Sequence, residues 1–450
     1  MLNRPNSPVR EREAFPRMLV VSHNVFSETS SMGKTLYQFF ESWPKEKLAQ
    51  LYLHTEMPTT HICERYFRIT DFDVLHSFKR RGEPGKSLGA GDIREDLVSE
   101  RVDEGAQAAL YQWGRHRKPY MYLGRNLLWR LGKWYTQKLR DWVREFQPEV
   151  LFFASGDYSF AYRIALKIAE EFQLPLVTYV CDDYYICRRF SVSPLYYLYR
   201  RQFKSTFRKT AKRTASFVYI CDPMKEDYNR LFGTQGMTLM TPSSFERIIP
   251  QKEERSVPVV SYVGSLGYDR WKVLAEVAKA LRAIDSRQTL HVYTQDIKRA
   301  EKLTGLADGV EMHGAVNARQ VEQILRSSDV MLHVESMDRI YRRRIKYSVS
   351  TKVADALASG TCLFAYGPEE IASIRYLSET KTACVATDQQ ELEPALREVL
   401  ASSEKRMEYA RRALEQSVER HDAVKNRERF RQLLYKASQK EREPHESTPD

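Results

Sequence analysis

Tyr347–Glu370 reads YSVSTKVADALASGTCLFAYGPEE. Ser350 and Thr351 are good helix N-caps, and Gly360 suits the helix end. CLFAYG then reads as a buried strand bounded by glycine. The start of such a helix offers free N–H groups and the positive end of a dipole, which together make an anion site. Lys352 adds positive charge there. Asp355 lies one turn further in, where its carboxylate can accept two hydroxyl hydrogen bonds from a ribose, each worth about 1.5–3 kcal/mol. Taken alone, the segment also fits an ordinary capped helix with surface charges.

Outward from this segment the same alternation holds. Upstream come VVSYVG as strand, RWKVLAEVAKAL as helix, TLHVYT and VEMHG as strands, ARQVEQILRSS as helix and DVMLHV as strand; downstream come EEIASIRYL as helix and ACVAT as strand. The N-terminal half alternates too. Strands are expected at Met18–Ser22, Leu48–His54, Val150–Ala154, Leu176–Val180 and Phe217–Ile220, with helices at Lys34–Trp43, Gly124–Phe146, Phe160–Phe172 and Pro194–Lys212. Alternation of this kind means mostly parallel, doubly wound sheets. A chain of 450 residues is too long for one core. Thr241–Pro258, with its prolines, charges and lack of periodicity, is the linker candidate. The expected organisation is a disordered extension over 1–17, a first Rossmann-like domain over 18–240, a linker over 241–257, a second domain over 258–420, and a helix with a charged tail over 421–450. Two such domains would face a cleft and bind ligands at the carboxyl ends of their strands. Lys79–Asp92, KRRGEPGKSLGAGD, reads as a polar glycine-rich loop.

Composition narrows the function. Apolar content of 42% supports globular cores, and no stretch approaches the ~20 apolar residues of a membrane span. Six cysteines show neither a CxxC pair nor metal-like Cys/His spacing, and HExxH is absent. The start shows no secretory signal, so a cytoplasmic location is expected. Net charge is +12. The excess concentrates in Gly105–Arg140, basic and interleaved with Trp113, Trp129 and Trp134, and in Tyr199–Arg213. Such stretches suit an anionic surface such as membrane headgroups or a lipid-linked diphosphate, or else are solvated helix faces. Nucleic acid is not the expected partner.

Ser30–Phe40, SSMGKTLYQFF, follows the first strand and imitates a phosphate loop at Gly33-Lys34-Thr35. The first glycine of that pattern is missing, with Glu28 in its place. A further buried strand, LPLVTYV, runs straight into Asp182-Asp183. Acids at a strand's carboxyl end can orient or deprotonate an acceptor hydroxyl. They also read as a capped loop, or as the Walker B partner of Lys34. Asp157, after the preceding strand, reads as the N-cap of the next helix. His23 closes the first strand as either a ligand contact or a structural histidine. Asp71–Asp73, DFD, is too short a match to count as a metal site.

DALASG, then a strand, then YGPEE resembles the donor-binding signature of GT-B glycosyltransferases of the retaining family 4 type, in the capsule and exopolysaccharide subgroup. VSYVGSLGYDRW and VEMHGAVNARQVEQILRSSDVMLHVES resemble the start and middle of the same domain. Two departures stand out: Tyr347 replaces the first acid of the usual pair, and Thr361-Cys362 replace the proline after the helix glycine. The resemblance implies a GT-B fold and sugar transfer from a nucleotide-sugar donor to a glycan or lipid-linked acceptor. It needs no metal and no cofactor, and an anionic membrane surface would accompany the acceptor. It also implies that Arg270 or Lys272 grips the donor diphosphate. Gly33, Lys34, Gly264, Gly314, Ser350, Thr351, Lys352, Asp355 and Glu370 complete the donor-side set, with Asp182 and Asp183 as catalytic candidates. A sugar-nucleotide epimerase or hydrolase, a phosphate-loop ATPase or kinase, and a non-catalytic scaffold docking to membrane or polyanion remain open alternatives.

Overall fold

The computed structural model describes residues 15–28, 31–78, 83–94, 118–187, 190–243, 245–250 and 255–440. The chain divides into two units. One comprises Met1–Tyr219, Met224–Leu239 and Arg427–Asp450; the other comprises Ile220–Pro223 and Met240–Asn426.

In the first unit the strands are β1 (Met18–Ser22), β2 (Leu48–Tyr52), β3 (Tyr66–Arg68), β4 (Lys86–Leu88), β5 (Val150–Ser155), β6 (Leu176–Val180), β7 (Thr214–Tyr219) and β8 (Gly236–Thr238). They form one sheet in the order β4-β3-β2-β1-β5-β6-β7-β8. Every neighbour pair is parallel except β3 with β4. The central strands MLVVS, VLFFAS and LVTYV are buried throughout, as expected of a parallel sheet covered on both faces by helices. The last helix, Ala423–Lys440, returns to this unit. Its Phe430 is fully buried, with ring centroids 5.1–5.3 Å from those of Phe39, Phe40 and Phe152.

The second unit carries β9 (Val260–Val263), β10 (Leu290–Tyr293), β11 (Val310–Gly314), β12 (Val330–Val334), β13 (Cys362–Tyr366) and β14 (Cys384–Ala386). Their order is β11-β10-β9-β12-β13-β14, and all pairs are parallel. Successive residues of a strand point to opposite faces. Leu332, Phe364 and Tyr366 therefore pack with Val273, Leu274 and Val277 of the Arg270–Ile284 helix. Met331, Leu363 and Ala365 pack on the other face with Val353 and Leu357 of the Thr351–Ala358 helix. The expected linker residues lie on this unit: the Ile248 N–H donates to Ala358 O and the Ser243 N–H to His421 O.

Three expectations change. The stretch expected to be one helix over Gly124–Phe146 is two, Pro119–Leu131 and Gln137–Phe146. The break falls at Gly132, where a Cβ would sit 2.2 Å from the Val74 side chain, and Thr136 caps the second helix through its side chain. The glycine-rich loop contains a strand, β4, paired antiparallel with β3 and anchored by buried Leu88; residues 79–82 of that loop lie outside the described residues. Trp129, expected at a membrane surface, is buried, with its ring stacked on Phe160 and its Nε1 donating to Asp71. Among the described residues no helix is long and apolar enough to cross a membrane. Residues 105–117 of the first basic stretch, 1–14 of the extension expected over 1–17 and the tail 441–450 lie outside the described residues, while Phe15, Pro16 and Arg17 of that extension are hydrogen-bonded to Lys47, Trp43 and Glu149.

Candidate active site

In a parallel sheet, ligands bind outside the carboxyl ends of the strands, where the strand order reverses. In the second sheet that point lies between β9 and β12, and a cavity of about 130 Å³ is found there. Tyr262, Gly264 and Ser265 line it from the end of β9, and His333, Val334 and Glu335 from the end of β12. Arg270, the first residue of its helix, and Ser350, Lys352 and Asp355 complete the polar wall.

Arg270 is held by two neighbours. Its Nη2 donates to both Glu335 carboxylate oxygens at 3.0 and 2.8 Å, and its Nε donates to Glu335 at 3.1 Å and to Val334 O at 3.2 Å. The Glu335 side chain is 1% exposed. Burial pushes its carboxyl above the usual carboxylate range although Arg270 opposes the shift. Lys352 is pushed down, first by desolvation and then by Arg270, with Asp355 opposing. His333 is pushed down to about 3 by burial and by both cations, so its imidazole is neutral at working pH. It shares a hydrogen with Ser373 at 2.9 Å. The cavity wall thus carries two mutually repelling cations beside a helix N-terminus capped by Ser350, whose Oγ accepts from the Lys352 N–H at 3.3 Å. An anion entering there relieves that repulsion. Asp355 Oδ1 accepts from Ser243 Oγ at 3.2 Å.

Gly264, Arg270, Ser350, Lys352 and Asp355 therefore line one cavity. The other donor-side candidates of this unit do not line it. Lys272 is exposed and paired with Asp269 at 2.7 Å. Thr351 is exposed on its helix. Gly314 ends β11 at the sheet edge with φ +74°. Glu370 is exposed, 3.5 Å from Arg342. Sequence reasoning missed Glu335 and His333. The signal was present in LHVES, an acid at the carboxyl end of a buried strand, which is the rule that singled out Asp182 and Asp183.

The remaining candidates lie in the first unit. The Asp183 carboxylate accepts from the N–H groups of Tyr185, Ile186 and Cys187 at 2.6–3.0 Å and from the Tyr228 hydroxyl at 2.6 Å. It works as the cap of this loop. Asp182 accepts from the Asp183 N–H at 2.8 Å and from the Tyr184 side chain, and is exposed. Desolvation of its inner side, followed by the Asp183 and Asp157 charges, raises its pKa. Asp157 is not the expected N-cap: Tyr158 holds that position, and Asp157 accepts from the Tyr122 hydroxyl instead. His23, past β1, lies 4.9 Å ring to ring from Tyr158 and 5.1 Å from His54. Gly33 falls inside the first turn of the Ser31–Phe40 helix, where a Cβ would stand 2.3 Å from Val25 O. Its need is close packing of helix on loop, and Lys34 beside it is exposed. Asp71 pairs with Arg125 at 2.8 Å, and Asp73 forms a capping box with Thr70.

Three cations of the second basic run, Tyr199–Arg213, are committed to the structure, while Arg201, Lys209 and Lys212 are exposed. Arg200 donates to the carbonyls of Tyr184, Tyr185 and Cys187. Arg208 donates to the Tyr185 hydroxyl, and the Lys204 ammonium lies 4.8 Å from the Tyr185 ring centroid. These cations support the loop that Asp183 caps.

Residues 270–434 match the family described as glycosyl transferase-like. No curated protein sequence matches the chain. Among solved structures, the chain is similar to sucrose-phosphate synthase from Thermosynechococcus elongatus, with a TM-score of 0.58 and 11% identity over 93% of this chain and 99% of that one. It is also similar to alpha,alpha-trehalose 6-phosphate synthase from Burkholderia multivorans, with a TM-score of 0.56 and 12% identity over 97% and 100%. Anabaena Alr3699/HepE in complex with UDP gives 0.55 and 12% over 93% and 100%. The fold is GT-B. The chain carries a glycosyltransferase-like domain on that fold, and the cavity described above is lined in part by residues of the matched span, Arg270, Glu335, Lys352 and Asp355 among them.

Proposed function

We propose that the protein transfers a sugar from a nucleoside-diphosphate sugar to a glycan or lipid-linked acceptor, as a retaining, metal-independent enzyme of the family 4 type serving surface polysaccharide synthesis. The observation that carries the donor half is the cavity at the β9/β12 switch point, where Arg270, Lys352 and a helix N-terminus converge. In sugar transfer the leaving group is a nucleoside diphosphate, and negative charge builds on it as the glycosidic bond breaks. Arg270 is pre-oriented by Glu335, which holds its Nε and Nη2 and leaves Nη1 for phosphate oxygens. Lys352 and the positive end of its helix dipole add charge that needs no reorganisation during the reaction. Asp355 supplies the acceptor for ribose hydroxyls. Two cations and a helix dipole provide the electrostatics that a bound metal provides elsewhere. UDP in the Anabaena HepE complex supports a nucleoside diphosphate as the ligand class.

On the acceptor side, Asp182 is the better general-base candidate of the pair. Its carboxylate is accessible and its pKa is raised, whereas Asp183 spends its lone pairs on the loop. A membrane-proximal acceptor is supported by a run of exposed apolar residues, Phe190, Val192, Leu195, Tyr197 and Leu198, with Arg201 exposed beside it. A thermal-shift screen with UDP-, GDP-, ADP- and CMP-sugars tests the reading. A donor at 100 times its Kd stabilises by about 2.7 kcal/mol. The expected result is one responding nucleotide class, followed by release of free nucleoside diphosphate on incubation with donor. A flat response to all four overturns it.

A further inference from the structure

On the outer edge of the second sheet, β10 and β11 bring His291 together with a pair on the neighbouring strand, Glu311 and His313. The register sets His291 opposite Glu311, and His313, two residues on along β11, falls on the same side as Glu311. His291 Nδ1 lies 3.0 Å from His313 Nε2 and 3.5 Å from Glu311 Oε2, and His313 Nε2 lies 3.7 Å from Glu311 Oε1. One ligand atom from each residue fits within 4.8 Å of the others. Tetrahedral ligands at 2.0–2.2 Å from a zinc ion stand about 3.3–3.6 Å from one another. The distances lie around that edge length, with the Glu311 carboxylate facing each imidazole through a different oxygen.

We propose that His291, Glu311 and His313 bind one divalent transition ion of the zinc type, with solvent in the remaining position. Two imidazoles and one carboxylate suit zinc, nickel or copper and not magnesium or calcium, which prefer all-oxygen shells. The ligands are ordered in advance. The His313 ring stacks on Tyr293, with centroids 4.4 Å apart and planes 14° apart, and on His291 at 5.3 Å. Ordering before binding lowers the entropic cost of capture.

The ion would clasp β11 to β10. β11 has one neighbour in its sheet, and much of it is exposed. Tyr293, against which His313 stacks, packs on the cluster of Val263, Leu325 and Met331, which also line the nucleotide cavity. The clasp therefore steadies one wall of that cavity without contributing a ligand atom to it. The spacing of the three residues hid the site from sequence reasoning: a Glu-x-His pair on one strand face has no meaning until a histidine of the neighbouring strand is set beside it.

The test uses the full chain, stripped with chelator and titrated with zinc sulfate, with magnesium sulfate as control. Calorimetry should show one zinc per chain and a rise in melting temperature, with no response to magnesium. His313→Ala and Glu311→Gln sit at exposed positions and should fold as the parent does, yet bind zinc more than about tenfold more weakly. Cobalt loaded in place of zinc should show visible bands of a nitrogen–oxygen site and no thiolate charge-transfer band. No zinc uptake, undiminished uptake in both variants, equal response to magnesium, or a thiolate signature from the cysteines would each overturn the assignment. Since the readout is metal uptake, it stands or falls independently of sugar transfer.

Discussion

Replacing Arg270 by alanine should do two separable things, because Arg270 faces both a buried acid and the cavity. Glu335 is 1% exposed and receives three of the hydrogen bonds that Arg270 donates. Removing the arginine leaves a buried carboxylate whose other ion-pair neighbour among the described residues, His333, is neutral. Breaking a buried pair by deleting one partner costs about 3–5 kcal/mol. In a unit of this size that lowers the melting temperature by about 6–20 °C. Without Arg270 the Glu335 pKa rises further. A carboxyl whose folded pKa lies above its unfolded value stabilises the fold at low pH and loses that contribution as pH rises through the folded pKa. The deficit of Arg270→Ala should therefore be large at pH 8 and shrink at pH 5. Adding Glu335→Leu should restore most of the stability, since an apolar replacement of a buried pair is often neutral or better. Nucleoside diphosphate binding should stay lost in both the single and the double variant. Melting at the two pH values with calorimetric titration of UDP measures all four quantities. The reasoning is refuted if Arg270→Ala melts like the parent at pH 8, or if the double variant is no more stable than the single.

Three further outcomes are expected. Gly33→Ala places a Cβ 2.3 Å from Val25 O, a backbone atom that cannot step aside, and should destabilise the first unit by about 1–3 kcal/mol in denaturant melting; an unchanged midpoint would remove the close-packing account. Asp182→Asn should lower transfer while leaving nucleotide affinity intact, whereas Asp183→Asn should lower stability, because an amide has one acceptor oxygen where the carboxylate has two to take up three N–H donors and the Tyr228 hydroxyl; equal stability of the two variants contradicts this division of labour. Phe190→Ser with Arg201→Ser should reduce sedimentation with anionic vesicles at low salt without changing the melting temperature, whereas Arg200→Ser should lower the melting temperature by releasing three carbonyls; absence of vesicle binding by the parent at low salt favours a soluble acceptor.

The six strands of the second sheet and the five longer strands of the first could be read from the sequence because strand and helix periodicity are local, whereas the three-residue strands β3, β4 and β8 are too short to show a period. Runs such as MLVVS and LVTYV are apolar at every position, which suits a strand covered on both faces. The helix that lines the cavity was equally legible, since Ser350, Lys352 and Asp355 lie within one turn and a half of a single element. Local pattern carries no information about which distant groups meet. Arg270 and Glu335 stand sixty-five positions apart, and nothing in either neighbourhood says that the arginine most in reach of a phosphate is already braced by a buried acid. The same holds for Asp183, whose four donors come partly from Tyr228, and for Arg200 and Arg208, whose charge looked available until the 184–187 loop was seen resting on them. Residue type sets what a group can bind, and chain periodicity sets which face of an element it occupies. Which groups then approach within hydrogen-bond distance depends on strand order and register, which the packing of whole sheets decides. That is why the fold and the capped helix at Thr351–Ala358 were visible in the sequence, while which polar residues hold the structure and which face the cavity belonged to the tertiary structure.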